Sequence, residues 1–280
     1  MNQLSKKYLN LAQKSALSLI SNPNVTAFLV TGSAAKGYAD DFSDVDNLVI
    51  LNVSLTRDEF NEIVNDSKSS GGDLYHGTPE EGFAVYKYID GIKFDYGFGL
   101  KKEQEELIEN MLENPEPDDT KQLIISGFCE SYTIYGHDWI TTWKQKAMNY
   151  PERLALLVAK KHLHFHPKWA LEKMGIERND NLFLYEDFIK AAESIFAVLC
   201  AVNRMYYPGK LKGAWYYIDQ MKIKPDKLNE KLDLLFSVGR DHAVEILSLL
   251  IKEVFDLVDK HIPDYSTAKA REIFDMELRK

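Results

Sequence analysis

Two carboxylates separated by a single residue, Asp44 and Asp46, head an apolar run that ends near Leu51, and eleven to fourteen residues upstream lies the pair Gly32-Ser33 after another apolar run, Val25–Val30. Short apolar runs bounded by turn residues read as buried strands, here over 25–31 and 45–53. Side chains alternate faces along a strand, so Asp44 and Asp46 share one face, roughly 6.5–7 Å apart along the backbone, while Val45 faces the core. A third carboxylate, Asp95, sits in a second alternating segment, Gly91–Phe98. Such a face suits Mg²⁺, which takes oxygen ligands and keeps substrate phosphate in its shell. The Gly32-Ser33 turn offers close backbone approach and free N–H groups for a phosphate. Either half alone is an ordinary loop or a solvated strand end. Three like charges on one patch repel unless a cation sits among them, and that points to a shared purpose.

In that order and spacing, Gly32, Ser33, Asp44, Asp46 and Asp95 resemble the nucleotidyltransferase superfamily, the polymerase-beta-like group that includes the antibiotic-modifying adenylyltransferases. The resemblance covers about the first hundred residues. Beyond them the chain resembles two-domain bacterial members, with Tyr132–Asp138 leading to Tyr150–Leu154 at the junction. The resemblance implies an α+β protein: a nucleotidyltransferase domain at 1–137 with a mixed β-sheet and flanking helices, then an all-α helical-bundle domain at 138–280. It also implies transfer of a nucleoside monophosphate from ATP or another nucleoside triphosphate, with Mg²⁺ or Mn²⁺, to a hydroxyl group. Asp44 and Asp46 would hold the metal; Asp95 would join them or take the acceptor's proton. Ser33 would hold a terminal phosphate, and Lys36 reads as a phosphate contact or as an exposed loop lysine.

The periodicity agrees with that division. A helix is predicted over 3–20, stopped by Asn22, Pro23 and Asn24, and another over 56–68 opened by Thr56 and Asp58. Segments 83–89 and 92–98, joined by Asp90-Gly91, read as a hairpin with a type I′ turn. Helices follow at 101–113 and 118–127. After Gly136 strand signals almost vanish, and helical patterns run over 138–148, 152–173, 183–206, 214–221, 225–237, 240–261 and 267–279.

The second half supplies three further candidate groups. Arg204, Lys210 and Lys212 lie with aromatic residues at the end of a long helix; they read as phosphate contacts or as cations pairing with a helix C-terminus. Glu193, polar among apolar neighbours, reads as a general base or as a surface or salt-bridged charge. His162 and His166 would share a helix face at a metal-binding spacing, but no glutamate lies between them and Pro167 follows at once, which favours ordinary surface histidines.

Charge narrows the partners. Residues 1–137 carry 11 Lys/Arg against 22 Asp/Glu, whereas residues 138–280 carry 23 against 21. Nucleic-acid affinity rests on neutralising phosphates, so this balance disfavours tRNA and suits metal with a cationic small-molecule acceptor such as an amino-sugar. A partner protein of toxin–antitoxin type, or a non-catalytic nucleotide-binding module, stand as alternatives. No apolar run approaches the ~20 residues of a membrane helix, and no signal-peptide core follows Met1. The two cysteines, Cys129 and Cys200, lie among apolar residues and read as buried thiols of a cytoplasmic protein.

Overall fold

The apolar runs of the first half assemble into one mixed sheet of six strands. In the computed structural model, which describes residues 1–277, these are β1 (Val25–Val30), β2 (Val45–Leu51), β3 (Asp73–Thr78), β4 (Gly82–Ile89), β5 (Ile92–Leu100) and β6 (Tyr132–Tyr135). Their order is β3-β4-β5-β2-β1-β6, with β2 and β5 parallel and every other neighbouring pair antiparallel. The expected hairpin joins β4 to β5. Asp90 and Gly91 both take positive φ, 52° and 75°, as a type I′ turn demands.

Alternation along the strands makes two faces. Val45 and Val49 of β2, and Phe94, Tyr96 and Phe98 of β5, are buried on one face beneath α1 (Gln3–Ile20) and α3 (Arg57–Ser69). α1 contributes Tyr8, Leu9, Ala12 and Ala16 to this core, and α3 contributes Phe60 and Val64. Each large apolar side chain taken fully out of water here, such as Phe28 or Phe94, contributes about 1.5–3 kcal/mol. Both helices have built starts. Asn2 accepts the Ser5 N–H at 2.8 Å, and Thr56 with Glu59 forms a reciprocal capping box. The short α2 (Gly32–Lys36) follows β1, and α4 (Lys101–Glu113) follows β5 directly. α5 (Asp119–Cys129) precedes β6, and α6 (His137–Ala147) packs beside β1 and β6.

The chain forms two compact units, Met1–Asn114 with Ile124–Asn149, and Pro115–Leu123 with Tyr150–Lys280. The division falls later than the expected 137/138 boundary because α6 leaves β6 through Gly136 and buries Ile140 and Trp143 with the sheet unit. β3 and β6 were not expected. β3 holds one aliphatic residue, Leu74, and β6 is four residues long, so neither has a core face that its own sequence can announce.

The second unit is helical among its described residues: α7 (Glu152–His162), α8 (Lys168–Ala170), α9 (Asn181–Val202), α10 (Ala214–Gln220), α11 (Leu228–Ser237), α12 (Arg240–His261) and α13 (Ala268–Phe274). α9 is its centre, with every residue from Ile195 to Val202 buried. The helix expected over 152–173 is broken. α7 ends at His162, the chain has no regular secondary structure from Leu163 to Pro167, and Leu171–Glu177 forms a π-helical segment after α8. Pro167 has no N–H to donate and drives His166 out of the α region, which explains the break. α9 stops at Val202, short of the expected 206, because Arg204 turns left-handed (φ 57°). Of the helix expected over 267–279, the part beyond 277 lies outside the described residues. No helix among the described residues is long and apolar enough to cross a membrane.

Two glycines of the sheet unit separate backbone strain from crowding. At Gly91 (φ +75°) an added Cβ meets nothing within 4 Å, whereas at Gly136 (φ +81°) it would lie 2.3 Å from the Thr26 carbonyl oxygen. Gly91→Ala should therefore cost only the left-handed penalty of ~1 kcal/mol, and Gly136→Ala ~3 kcal/mol. Urea unfolding of both variants measures the difference; equal losses would refute the steric account.

Candidate metal centre and its surroundings

The parallel register of β2 and β5 sets Asp46 directly beside Asp95. Both point away from the α1/α3 core, because the residues flanking each of them (Val45 and Asn47, Phe94 and Tyr96) are buried on it. Asp44, one residue before β2, joins them. One carboxylate oxygen from each of Asp44, Asp46 and Asp95 lies within 4.8 Å of the other two, and all three residues are half-buried. Among the described residues this is the one cluster of three or more His, Cys, Asp or Glu with such spacing.

The donor set fits a hard divalent cation. Oxygens sharing one octahedral Mg²⁺ at ~2.1 Å lie about 3.0–4.2 Å apart, so at most a small side-chain adjustment brings the triad to a common ion. Carboxylates suit Mg²⁺ or Mn²⁺ better than softer metals.

A lysine is already set among these oxygens. Lys93, two residues before Asp95 and hence on the same face of β5, donates to Asp95 Oδ2 at 2.8 Å and to Asp44 Oδ2 at 3.4 Å. The Tyr75 hydroxyl donates to Asp95 Oδ1 at 3.0 Å. The Lys93 ammonium also lies 5.4 Å from the Tyr75 ring centroid and 5.7 Å from that of Tyr86. Partial burial pulls its pKa down, but hydrogen bonds to Asp95 and Tyr75 outweigh this and hold it above the ordinary lysine value.

Gly32 explains why a glycine begins the motif. Its φ is +65°, and an added Cβ would lie 2.0 Å from Asp46 Oδ2, so the carboxylate rests on the bare Cα. The Thr31 N–H, one residue earlier, donates to the Asp46 carbonyl at 2.8 Å. Ser33 does not sit in an open turn as expected; it lies in the first turn of α2, and its carbonyl accepts from Gly37 and Tyr38. Lys36 stands in the last turn of that helix, half-buried and engaged with neighbours. Tyr38 has its hydroxyl pKa raised by burial and then by the charges of Asp46 and Glu130.

The approach to Asp44 is a pinned loop. Asp40 Oδ1 accepts from the Phe42 N–H at 3.0 Å and from the Ser43 hydroxyl at 2.9 Å, which in turn accepts from the Asp40 N–H. This turn presents Phe42, 98% exposed, two residues from a carboxylate of the triad.

The other expected site residues belong to the helical unit. Glu193 is half-buried on α9, and its charge, after burial, helps to raise the Tyr207 hydroxyl pKa. The Arg204 donors are taken up within that unit: two bonds to Glu152 at 2.6 and 2.8 Å, and others to the carbonyls of Ala201, Val202 and His261. Lys210 and Lys212 are exposed in the segment between α9 and α10. The shared histidine face does not form, since His166 lies beyond the end of α7 and pairs with Asp187, while His162 faces Asp119. Burial lowers the His162 pKa, against the pull of Asp119. Both cysteines are free, Cys200 fully buried.

Sequence reasoning passed over Lys93, Tyr75 and Tyr86. The hairpin register could have found two of them: a two-residue turn at Asp90-Gly91 puts Tyr86 opposite Asp95 and Lys93 opposite Tyr88, as observed. Tyr75 lies on β3, which the sequence did not announce.

No protein-family model and no curated protein sequence matches this chain. Among solved structures it is similar to a nucleotidyltransferase-like protein from Exiguobacterium sibiricum, at 11% identity and a TM-score of 0.42, over 90% of this chain and 75% of that one. The likeness is distant.

Gly32→Ala tests the contact with Asp46. The added methyl must displace the carboxylate, so Mn²⁺ affinity, read by isothermal titration, should fall at least about tenfold while the far-ultraviolet circular dichroism stays unchanged. Undiminished affinity would show that Asp46 does not hold the ion in this position.

Proposed function

We propose that this chain is a Mg²⁺- or Mn²⁺-dependent nucleotidyltransferase that moves a nucleoside monophosphate from a triphosphate, ATP by preference, to a hydroxyl of a small molecule. The observation that carries this reading is the triad Asp44, Asp46 and Asp95, convergent within 4.8 Å beside a glycine that gives Asp46 room. The reaction is an in-line displacement: the acceptor oxygen bonds to the α-phosphorus, the bond to the bridging oxygen breaks, and pyrophosphate leaves with that electron pair. Such transfers depend mainly on positioning and on neutralising charge. A divalent ion bound here supplies that neutralisation and polarises the phosphate oxygens.

The chain's own groups do the rest. β2 and β5 fix two of the three ligands side by side on a rigid sheet, which limits how far the site must reorganise on loading. Asp95, hydrogen-bonded to Tyr75 and Lys93, either completes the metal set or accepts the proton of the attacking hydroxyl. Lys93 adds a cation to a unit otherwise rich in carboxylates. The exposed Phe42 and the tyrosines beside Asp95 offer ring faces to a sugar or a base.

The acidic first half favours a cationic acceptor, and we take an amino-sugar of the aminoglycoside antibiotic class as the acceptor, with modification of the drug as the biological outcome. The unpaired thiols suit the cytoplasm, where nucleoside triphosphate and Mg²⁺ are abundant.

The test is a panel of α-labelled nucleoside triphosphates with Mg²⁺, offered with aminoglycosides, lincosamides or bulk tRNA. Label should appear on an aminoglycoside, be lost with EDTA, and fall by more than about a hundredfold in Asp44→Asn and in Asp46→Asn. Transfer that survives both substitutions would sink the metal assignment. Label on tRNA instead would overturn the choice of acceptor.

A further inference from the structure

The Lys93 ammonium occupies oxygens that a metal ion would use. It lies 2.8 Å from Asp95 Oδ2 and 3.4 Å from Asp44 Oδ2, so it draws on two of the three carboxylates of the triad. Its seat is built from several directions. Tyr75 holds Asp95 through the other carboxylate oxygen, and the rings of Tyr75 and Tyr86, themselves 4.7 Å apart, flank the ammonium. Tyr88, the cross-strand partner of Lys93, packs edge-on to Tyr86. Lys93 is therefore a placed internal counter-ion and not a surface lysine that happens to be nearby.

An ammonium and a divalent ion cannot share the same oxygen lone pairs at bonding distance. Their charges, however, are compatible in sum: three carboxylates carry −3, and one lysine with one divalent ion carries +3. The ammonium must leave the oxygens for the ion to bind, yet it gains by staying close if a new anion receives it. A polyphosphate bound to the same ion is such an anion.

Resting on the metal-dependent reading above, we propose that Lys93 is a competing cation at this site, which selects the complex of a divalent ion with a nucleoside triphosphate over the free ion. Free metal binds weakly because it must displace the ammonium and leave it without a partner. Metal arriving with triphosphate binds well because the displaced ammonium pairs with a phosphate oxygen. Metal and triphosphate are then thermodynamically coupled through Lys93, each raising the affinity of the other by the same factor. Lys93 acts on the ion by competition and on the phosphate by contact.

The experiment is a Mn²⁺ titration followed by electron paramagnetic resonance on the full chain. The parent, Lys93→Met and Lys93→Arg are each titrated with and without α,β-methylene ATP, whose α–β bridge cannot be cleaved. Lys93→Met should bind Mn²⁺ alone about tenfold more tightly than the parent, and the gain on adding the analogue should shrink. Lys93→Arg, which keeps the positive charge, should bind free Mn²⁺ no more tightly than the parent. In EDTA, Lys93→Met should melt below the parent, and Mn²⁺ should raise its melting temperature by the larger amount. Lys93→Gln, a polar and uncharged replacement, serves in place of the methionine variant if that one misfolds. Equal or weaker binding of free Mn²⁺ by the uncharged variants would overturn the proposal, leaving Lys93 as a strand-to-strand salt bridge. If the parent and the uncharged variants all fail to bind Mn²⁺ even with the analogue, the metal reading itself is wrong and this inference falls with it.

Discussion

The parallel pairing of β2 with β5 is the constraint on which the rest of the site depends. It is the one parallel contact in an otherwise antiparallel sheet, and it sets Asp46 next to Asp95 without help from any loop. Parallel neighbours need a crossover, and here the intervening chain supplies it: α3 and the β3-β4 hairpin lie between β2 and β5 in sequence, with α3 packed on the sheet. The core under α1 and α3 fixes the strand register, since a slip of one residue would turn Val45, Val49, Phe94 and Phe98 toward water and the aspartates into the core. Burial of apolar side chains on one face thus positions charged ones on the other.

Clustering three carboxylates is costly unless their charge is offset. The structure offsets it with Lys93, and with the Tyr75 hydroxyl as a further donor to Asp95. Gly32 performs the complementary task of making room, because its bare Cα lets Asp46 lie against the start of α2. The three carboxylates are thus held together on a rigid sheet, with their charge partly offset from within the chain.

Arg204 shows how one sequence signal can leave two readings open. A basic residue near a helix end and close to aromatics reads equally as a phosphate contact and as a cation meeting a helix C-terminus. In the structure its guanidinium spans the last carbonyls of α9, the carboxylate of Glu152 at the start of α7 and the carbonyl of His261 at the end of α12. It ties three helices of the bundle together. Only the positions of α7 and α12, brought near by folding, give the guanidinium these partners.

Much of the first unit was legible because its signals are local. The alternation around Asp44, Asp46 and Asp95, the type I′ pair Asp90-Gly91 and the capping residues Thr56 and Glu59 each act within a few residues, and the strands and helices formed where they indicated. The same locality hid β3 and β6, whose place is given by their neighbours and not by their own side chains. It also concealed the break at Pro167 within an otherwise helical pattern. The sequence by itself determined which residues could meet a cation: carboxylates at alternating positions and a glycine ahead of them. Tertiary structure alone decided that Asp44, Asp46 and Asp95 do converge, that Lys93 lies among them and that Tyr75 closes over Asp95. The reason is physical: contacts between strands distant in sequence depend on sheet order and register, which the whole buried core sets together.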